Sequence, residues 1–506
     1  MTTTSSNPAL RVEWTLPTVV DFLFRTSSSH PAITGGCASK RTCSSRQTAI
    51  CWVETRRKPT CLATSRTTIN CSRDSRTSSD TEGGFIMKIR QGLLATLIVA
   101  CASLAAATAA EIPDGTVITA ANIDQYSNDT FEGHTLKGLL TDRMDWMIRK
   151  EGFKPKLISS SEVKLDPAWM EATKKYSSQV KFDLKTRIAS GYVAGVPFPG
   201  VKPSDPEFAI KQIWNYYYGA PHADYQNYPR FAYVMIDGGR GLASNMEWTF
   251  KRYFLKGLLH GEGGAHTRGN GKDLSETLLF ATAPRDIRGL GTFTVFHDDG
   301  SFPSVWAYVP AVRRIRQLTG GAWDSPIGGT DQLNSDLEIV NWYPTWFPKY
   351  KYIGERWILA SVHANWAWDP KKGNSVDAYP GIDLKNKPNF EPTNVFEPRK
   401  VWVIDAYPPV SHPYGRIRLY MDEAYPRFNM ADVFDKKGNF WKEELYTTKS
   451  ISGPDGAVGV VSTSGFTMDF QQMHTTVFML DPKVQINTPG VHPDDLSISV
   501  LQQASQ

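Results

Sequence analysis

His260, Glu262 and His266 are the residues whose types and spacing could hold a metal ion. They lie in the stretch 256–273, where imidazole and carboxylate side chains would suit zinc or manganese. Their spacing follows no strict metal motif, and six glycines in the same stretch favour a plain loop. They are weak candidates, and neither a metal nor any other cofactor is expected. Gly269-Asn270-Gly271-Lys272-Asp273 lacks the Ser or Thr that a phosphate loop carries after its lysine. Asp298-Asp299-Gly300 reads as a tight turn rather than a calcium loop. The chain has no Gly-x-Ser-x-Gly elbow, and spacing alone assembles no Ser, His and Asp set. A non-enzymatic protein is expected, with a metal-dependent hydrolase as the third-ranked reading.

Aromatic residues say more. Thirteen of the fifteen tryptophans lie in residues 111–506. Alternation puts Trp248 with Phe250, Phe293 with Val295, and Trp306 with Tyr308 on one face of their strands. Trp248, Phe250, Phe293, Trp306, Tyr308 and Trp402 are the candidate lining of an apolar pocket facing the N-terminal helices, since such pockets are mostly hydrophobic with few polar groups. Packing of an ordinary core is the competing reading.

The elements that must position these side chains fall into two sets. Thr135 caps a helix running to Gly152, Asp166-Pro167 opens one through Tyr176, and Asp205-Pro206 opens one closed by Gly219. After Tyr228 the period changes to two. Strands are expected at Phe231–Ile236, Glu247–Leu255, Thr277–Thr282, Gly291–Phe296, Ser304–Val309 and Glu338–Asn341. Others follow at Arg356–Ser361, Lys400–Ala406, Arg416–Met421, Phe428–Phe434 and Phe440–Leu445. Short turns between them, such as Lys436-Lys437-Gly438-Asn439 and Pro454-Asp455-Gly456, indicate an antiparallel meander. Asp369 to Arg399 reads as a long surface excursion.

Composition bounds the rest. Of 56 Lys+Arg, 13 precede residue 111; of 51 Asp+Glu, 6 do. Residues 111–506 therefore carry 43 and 45, a net charge of −2, with no basic face to recruit nucleic acid. All six cysteines lie at or before Cys101, so the remainder has neither disulfide nor thiol nucleophile. Residues 1–86 are rich in Ser, Thr and Arg without periodicity and are expected to be disordered, as over-extended translation ahead of a start at Met87. Residues 87–110 read as a secretory signal: Lys88 and Arg90, then an apolar run to Ala107, then small residues at the cleavage site. Export to the periplasm follows, with lipidation at Cys101 and outer-membrane anchoring as the alternative. Residues 111–495 are expected to form one envelope domain and 496–506 a flexible tail.

The wording of several segments carries a resemblance. Ile112-Pro-Asp-Gly-Thr-Val-Ile118, Asn128-Asp-Thr-Phe-Glu-Gly133 and Pro284-Arg-Asp-Ile-Arg-Gly-Leu-Gly291 occur in that order. Val305 to Arg316, Arg399 to Ala406 and Leu419 to Glu423 follow. Together they resemble domain-of-unknown-function family 1329, a bacterial envelope family similar to the outer-membrane lipoprotein-sorting proteins of the LolA/LolB group. The resemblance implies an α+β, mainly β fold: a curved antiparallel sheet or incomplete barrel wrapped on N-terminal helices, with an apolar cavity. It implies no catalytic residues. The expected function is a binder or carrier of a lipid or other hydrophobic molecule, with an adaptor subunit of an envelope complex as the alternative. The expected partners are that hydrophobic molecule and an envelope transporter or outer-membrane protein. Arg313, Arg314 and Arg316 are the candidate patch for an anionic head group or acidic partner, because guanidinium forks match phosphate and carboxylate.

Overall fold

The computed structural model describes residues 109–504, except 262–263, 319–321 and 374. Residues 1–86, the signal segment up to Thr108 with Cys101, and Glu262 lie outside the described residues.

Fifteen strands form one sheet. In chain order they are β1 (Lys156–Leu157), β2 (Tyr225–Asp237), β3 (Gly241–Phe254), β4 (Asp273–Ala283), β5 (Gly291–His297), β6 (Ser304–Val309), β7 (Arg314–Leu318) and β8 (Lys349–Ala360). Then come β9 (Val395–Tyr407), β10 (Arg416–Asp422), β11 (Phe428–Phe434), β12 (Phe440–Ser452), β13 (Val458–Asp469), β14 (His474–Leu480) and β15 (Gln485–Ile486). The spatial order is β7-β6-β5-β4-β3-β2-β14-β13-β12-β11-β10-β9-β8, with β15 beside β2 and β1 parallel to β9. Two meanders, β2–β7 and β9–β14, thus join through the antiparallel pair β14–β2. The end strands β7 and β8 do not pair with each other, so the sheet is not closed into a barrel. The fold is mainly β with a few short helices, as expected.

Helices lie against both faces of the sheet. Thr135 caps α1 (Leu136–Leu139), its hydroxyl accepting from the Gly138 N–H. The single helix expected through Gly152 is interrupted, because Thr141 caps a second one, α2 (Asp142–Trp146), in the same way. A π turn over Met147–Glu151 ends on Gly152 in the left-handed region. Asp166 accepts from the Ala168 N–H and opens α3 (Pro167–Tyr176) as its sequence requires. Leu136, Leu139, Met144, Met147 and Ile148 are buried against Val401, Val403, Met430, Leu445, Phe466 and Val477 of the sheet. A second cluster packs α4 (Phe208–Gly219), Trp342 and Phe347 on Ile404, Leu419, Ala431 and Val433. Alternation sends Val403 and Ile404 to opposite sides, so the middle of the sheet is covered on both faces.

That double coverage explains the missed strand β13. All twelve of its residues are buried, including Ser462, Thr463, Ser464 and Thr467, so it shows no apolar–polar alternation. β7 and β14 also escape the pattern. α4 begins at Phe208 rather than at the expected Asp205-Pro206, although Asp205 accepts from the Glu207 N–H and pairs with Lys211. The strand expected at Glu338–Asn341 does not form. Glu338 and Ile339 have φ of 52° and 74°, a left-handed corner held by Tyr216 Oη donating to the Glu338 carbonyl and by the Glu338 N–H donating to Tyr446 Oη.

Two other expectations are corrected. The tail is not free over 496–504: Ile498–Ala504 is a helix, α5, and Leu496 and Leu501 are buried against β4, β5 and β6. Gly291 marks the close approach, since a Cβ there would lie 2.7 Å from Leu501 Cδ1. The 369–399 excursion is not all surface. Ala378, Tyr379 and Phe390 are fully buried, and its end from Val395 onward is already β9.

Candidate functional site

A cleft of about 690 Å³ opens between the N-terminal segment and the 365–395 excursion. The excursion is pinned at its base. The Asn365 and Val395 N–H groups both donate to Asn394 Oδ1, and Asn394 Nδ2 donates to the Asn365 carbonyl. Its two ends thus return to one point and the chain between them stands up as a wall. Tyr379 Oη accepts from Asn245 Nδ2 at 2.7 Å, tying that wall to β3. Ile382–Asp383 pairs with Glu391–Pro392 as a small ladder at its foot.

Val117, Trp366, Val376, Tyr379, Ile382 and Val395 give the cleft its apolar lining. Val117 and Val376 are exposed at 40% and 47%, which leaves apolar surface facing solvent. Lys154, Lys156, Lys372 and Lys385 also border it and are exposed. Glu391 borders it too, but is 2% exposed, and neither of its carboxyl oxygens has a hydrogen-bond partner among the described residues. Burial, and then the negative charges of Glu151 and Asp383, push its pKa well up. A second hollow, about 460 Å³ beside Ser177 and Pro197–Val201, is flatter and contributes no comparable buried group.

The six expected lining aromatics do not converge on this cleft or on each other. Trp248 and Phe250 belong to a cluster with Phe231 and Tyr233. Phe293, Trp306 and Tyr308 belong to another, where Phe293 and Trp306 are direct cross-strand neighbours with rings 5.7 Å apart. The helix facing that trio is the C-terminal α5, not an N-terminal one. Trp402 stands edge-on to Phe208 of α4 in a third cluster. Alternation gave the right grouping within each hairpin; it carries no information about which covering element each hairpin meets. The cleft residues lie in a stretch without periodicity, and only its Pro- and Lys-rich length pointed to it.

Arg313, Arg314 and Arg316 are exposed on the β6–β7 hairpin, with Arg313 at the turn (φ 50°) and the other two on edge strand β7. That edge is at the opposite end of the strand order from β9, which borders the cleft. His260 Nε2 lies 2.9 Å from Asp166 Oδ2, and His266 Nδ1 lies 2.6 Å from the Gly264 carbonyl. The first contact raises the His260 pKa and ties the loop to the cap of α3.

Two arrangements were not legible in the sequence. His363 Nδ1 is 2.7 Å from Glu397 Oε2, and Ser161 Oγ lies nearby, which has the composition of a hydrolytic triad. Ser161 Oγ is 3.4 Å from both ring nitrogens, however, so it does not lie along the Nε2 lone pair as a nucleophile must. The other arrangement is a buried ionic hub. Glu338 takes Arg252 at 3.4 Å and Arg427 at 3.8 Å, and Arg427 donates to Ser462 Oγ. Burial would raise the Glu338 pKa, but the two guanidiniums overcome it and hold the carboxyl at about 2.

Residues 117–497 match the family model described as Protein of unknown function (DUF1329), so the chain belongs to that family. Similar solved structures include a domain described as an outer membrane lipoprotein-sorting protein from Vibrio parahaemolyticus, 13% identical, covering 58% of this chain and 99% of that one at a TM-score of 0.40. A DUF1329 family protein from Desulfovibrio piger is 15% identical, with 55% and 92% coverage and a TM-score of 0.36. A LolA superfamily protein from Nitrosomonas europaea is 12% identical, with the same coverage and a TM-score of 0.31. No curated protein sequence matches the chain. No helix among the described residues is long and apolar enough to cross a membrane.

Proposed function

We propose that the protein is a non-enzymatic binder or carrier of a lipid or another hydrophobic molecule in the bacterial envelope. The cleft carries this reading. Its volume of about 690 Å³ falls within the roughly 300–1,000 Å³ of small-molecule sites. Its lining is mostly apolar, and Val117 and Val376 leave hydrophobic surface in water, which a ligand would cover. The Ser161–His363 geometry favours binding over hydrolysis. The export-type segment 87–110 supports a periplasmic site of action. Exposed Arg313, Arg314 and Arg316, being remote in strand order from the cleft, suit an acidic partner such as an envelope transporter rather than the ligand's own head group.

The test is mass spectrometry of an organic extract of protein purified from a bacterial periplasm, together with titration of an apolar fluorescent probe. A co-purifying amphiphile that displaces the probe, and weaker probe binding by Val376→Asp, are the expected results. An empty extract with no probe binding would leave the adaptor reading in its place.

A further inference from the structure

We propose that β7 is a docking strand: an acidic, extended segment of a partner protein adds to its open edge as a further strand of the sheet, with its carboxylates on the arginines there. The proposal rests on the acidic-partner reading of Arg313, Arg314 and Arg316 given above and adds the mode of binding.

β7 ends the strand order and pairs only with β6 among the described residues, so its second row of backbone N–H and C=O groups is open. Its pairing with β6 runs from Val305–Leu318 to Val309–Arg314 without a register shift, which leaves that edge regular. The edge at the other end of the sheet is irregular. There β8 carries a bulge between Tyr352 and Gly354, and Arg356 ties it to the N-terminal segment by donating to the Gly138 and Leu140 carbonyls. Of the two ends, β7 is the one that offers a clean template for an extended chain.

Charge is concentrated at the same place. Ile315 and Gln317 stand opposite Tyr308 and Trp306, so Arg314 and Arg316 share the other face of β7. Arg313 precedes them at the turn, beside Val312, which is 44% exposed. The registers Phe280–Gly291, Gly291–Tyr308 and Val309–Arg314 bring the β4–β5 turn to the same end of the sheet, about 10 Å away at two strand spacings. That turn adds exposed Arg285 and Arg288. Across 281–291 and 304–318 the one carboxylate is Asp286.

Arg285, Arg288, Arg313 and Arg314 have no side-chain hydrogen bond or ion pair among the described residues. Outside these two turns and β7, every described arginine has a side-chain partner. Most pair with carboxylates, Arg187 and Arg356 donate to backbone carbonyls, and Arg143 and Arg268 lie over aromatic rings. Charge on an edge strand also guards against self-pairing, but Arg285 and Arg288 sit on a turn, where there is no edge to guard. A guanidinium fork matches a carboxylate with two parallel N–H donors. Arg314 and Arg316 stand about 7 Å apart along their face, the spacing at which alternate acidic side chains of an extended chain fall.

The test uses two capped eight-residue peptides on the intact protein, one alternating glutamate with valine and one alternating glutamate with proline. Both carry the same charge, and proline lacks the N–H that a strand needs. The glutamate–valine peptide should bind at least about tenfold tighter and should slow amide hydrogen exchange at residues 314–318. Replacing Arg313→Gln and Arg314→Gln together should weaken it at least about tenfold, while probe binding in the cleft stays unchanged. Equal binding of the two peptides, or binding without slower exchange at 314–318, would overturn strand addition and leave the acidic-partner reading intact. Binding of neither peptide would overturn both; sedimentation with phosphatidylglycerol vesicles in that case would mark the surface as a membrane contact. The comparison of peptides on the unaltered protein decides the question even where the variant does not fold.

Discussion

Glu338→Gln removes one negative charge that two buried guanidiniums share. Arg427 is 2% exposed, and its Nε and Nη1 have no hydrogen-bond partner among the described residues, so it depends on Glu338 for compensation. Arg252 is nearly as enclosed. Breaking a buried ion pair from one side costs on the order of 3–5 kcal/mol. The titration gives a second measure. The Glu338 carboxyl is held at about 2 against an ordinary 4.5, which amounts to about 3 kcal/mol of stability at neutral pH. Because the folded-state value is depressed, this stability is present above pH 4.5 and is lost as pH falls towards 2. His222 adds a separate loss. Burial pushes its pKa down to about 3, so acid between pH 6.5 and 3 favours the unfolded chain, in which the imidazole protonates freely. Urea unfolding followed by tryptophan fluorescence, at pH 7 and pH 3, separates the two. Glu338→Gln should lose about 3–5 kcal/mol at pH 7, and the gap to the parent protein should narrow at pH 3, while the His222 loss persists in both. A gap below about 1 kcal/mol at pH 7, or one that does not narrow in acid, would refute the hub.

Asp432 and Glu443 face each other across β11 and β12, both buried, and burial pushes both carboxyls up. A raised folded-state value means stability that is full in mild acid and falls as pH rises above the ordinary carboxylate range. Chemical denaturation from pH 5 to pH 8 should show that fall, and Glu443→Gln should flatten it; identical slopes would count against Glu443 as its source. Trp306→Ala should cost about 2–3 kcal/mol, less than the roughly 3–5 for a fully buried Trp, because the ring is only half-buried against Phe293 and α5. It should leave probe binding in the cleft unchanged, and a binding loss in a folded variant would return the aromatic trio to the ligand site.

Local rules determined much of this protein from the sequence alone. The caps at Thr135 and Asp166, the period-two runs of β2 to β6 and β9 to β12, and the turns at 298–300, 436–439 and 454–456 are short-range features, so neighbouring residues specify them. The order of marker segments from Ile112 to Glu423 likewise disclosed the family before any fold was known. What depended on partners distant in the chain was not legible. β13 lost its alternation because both its faces are covered. Glu338 left the expected strand because tyrosines 122 and 108 residues away hold it in a left-handed corner. α5 became ordered because β4 to β6 offer Leu501 a surface, and the six aromatics were divided among three separate clusters, two of them covered by α5 and α4. The cleft itself belongs to this second kind. Its lining comes from residues 117, 152–156 and 365–395, which have no shared pattern in sequence and meet only because Asn394 closes the excursion and β1 pairs with the first residues of β9. Periodicity reports which face of an element is apolar; only the tertiary arrangement decides what that face is pressed against and where a space is left.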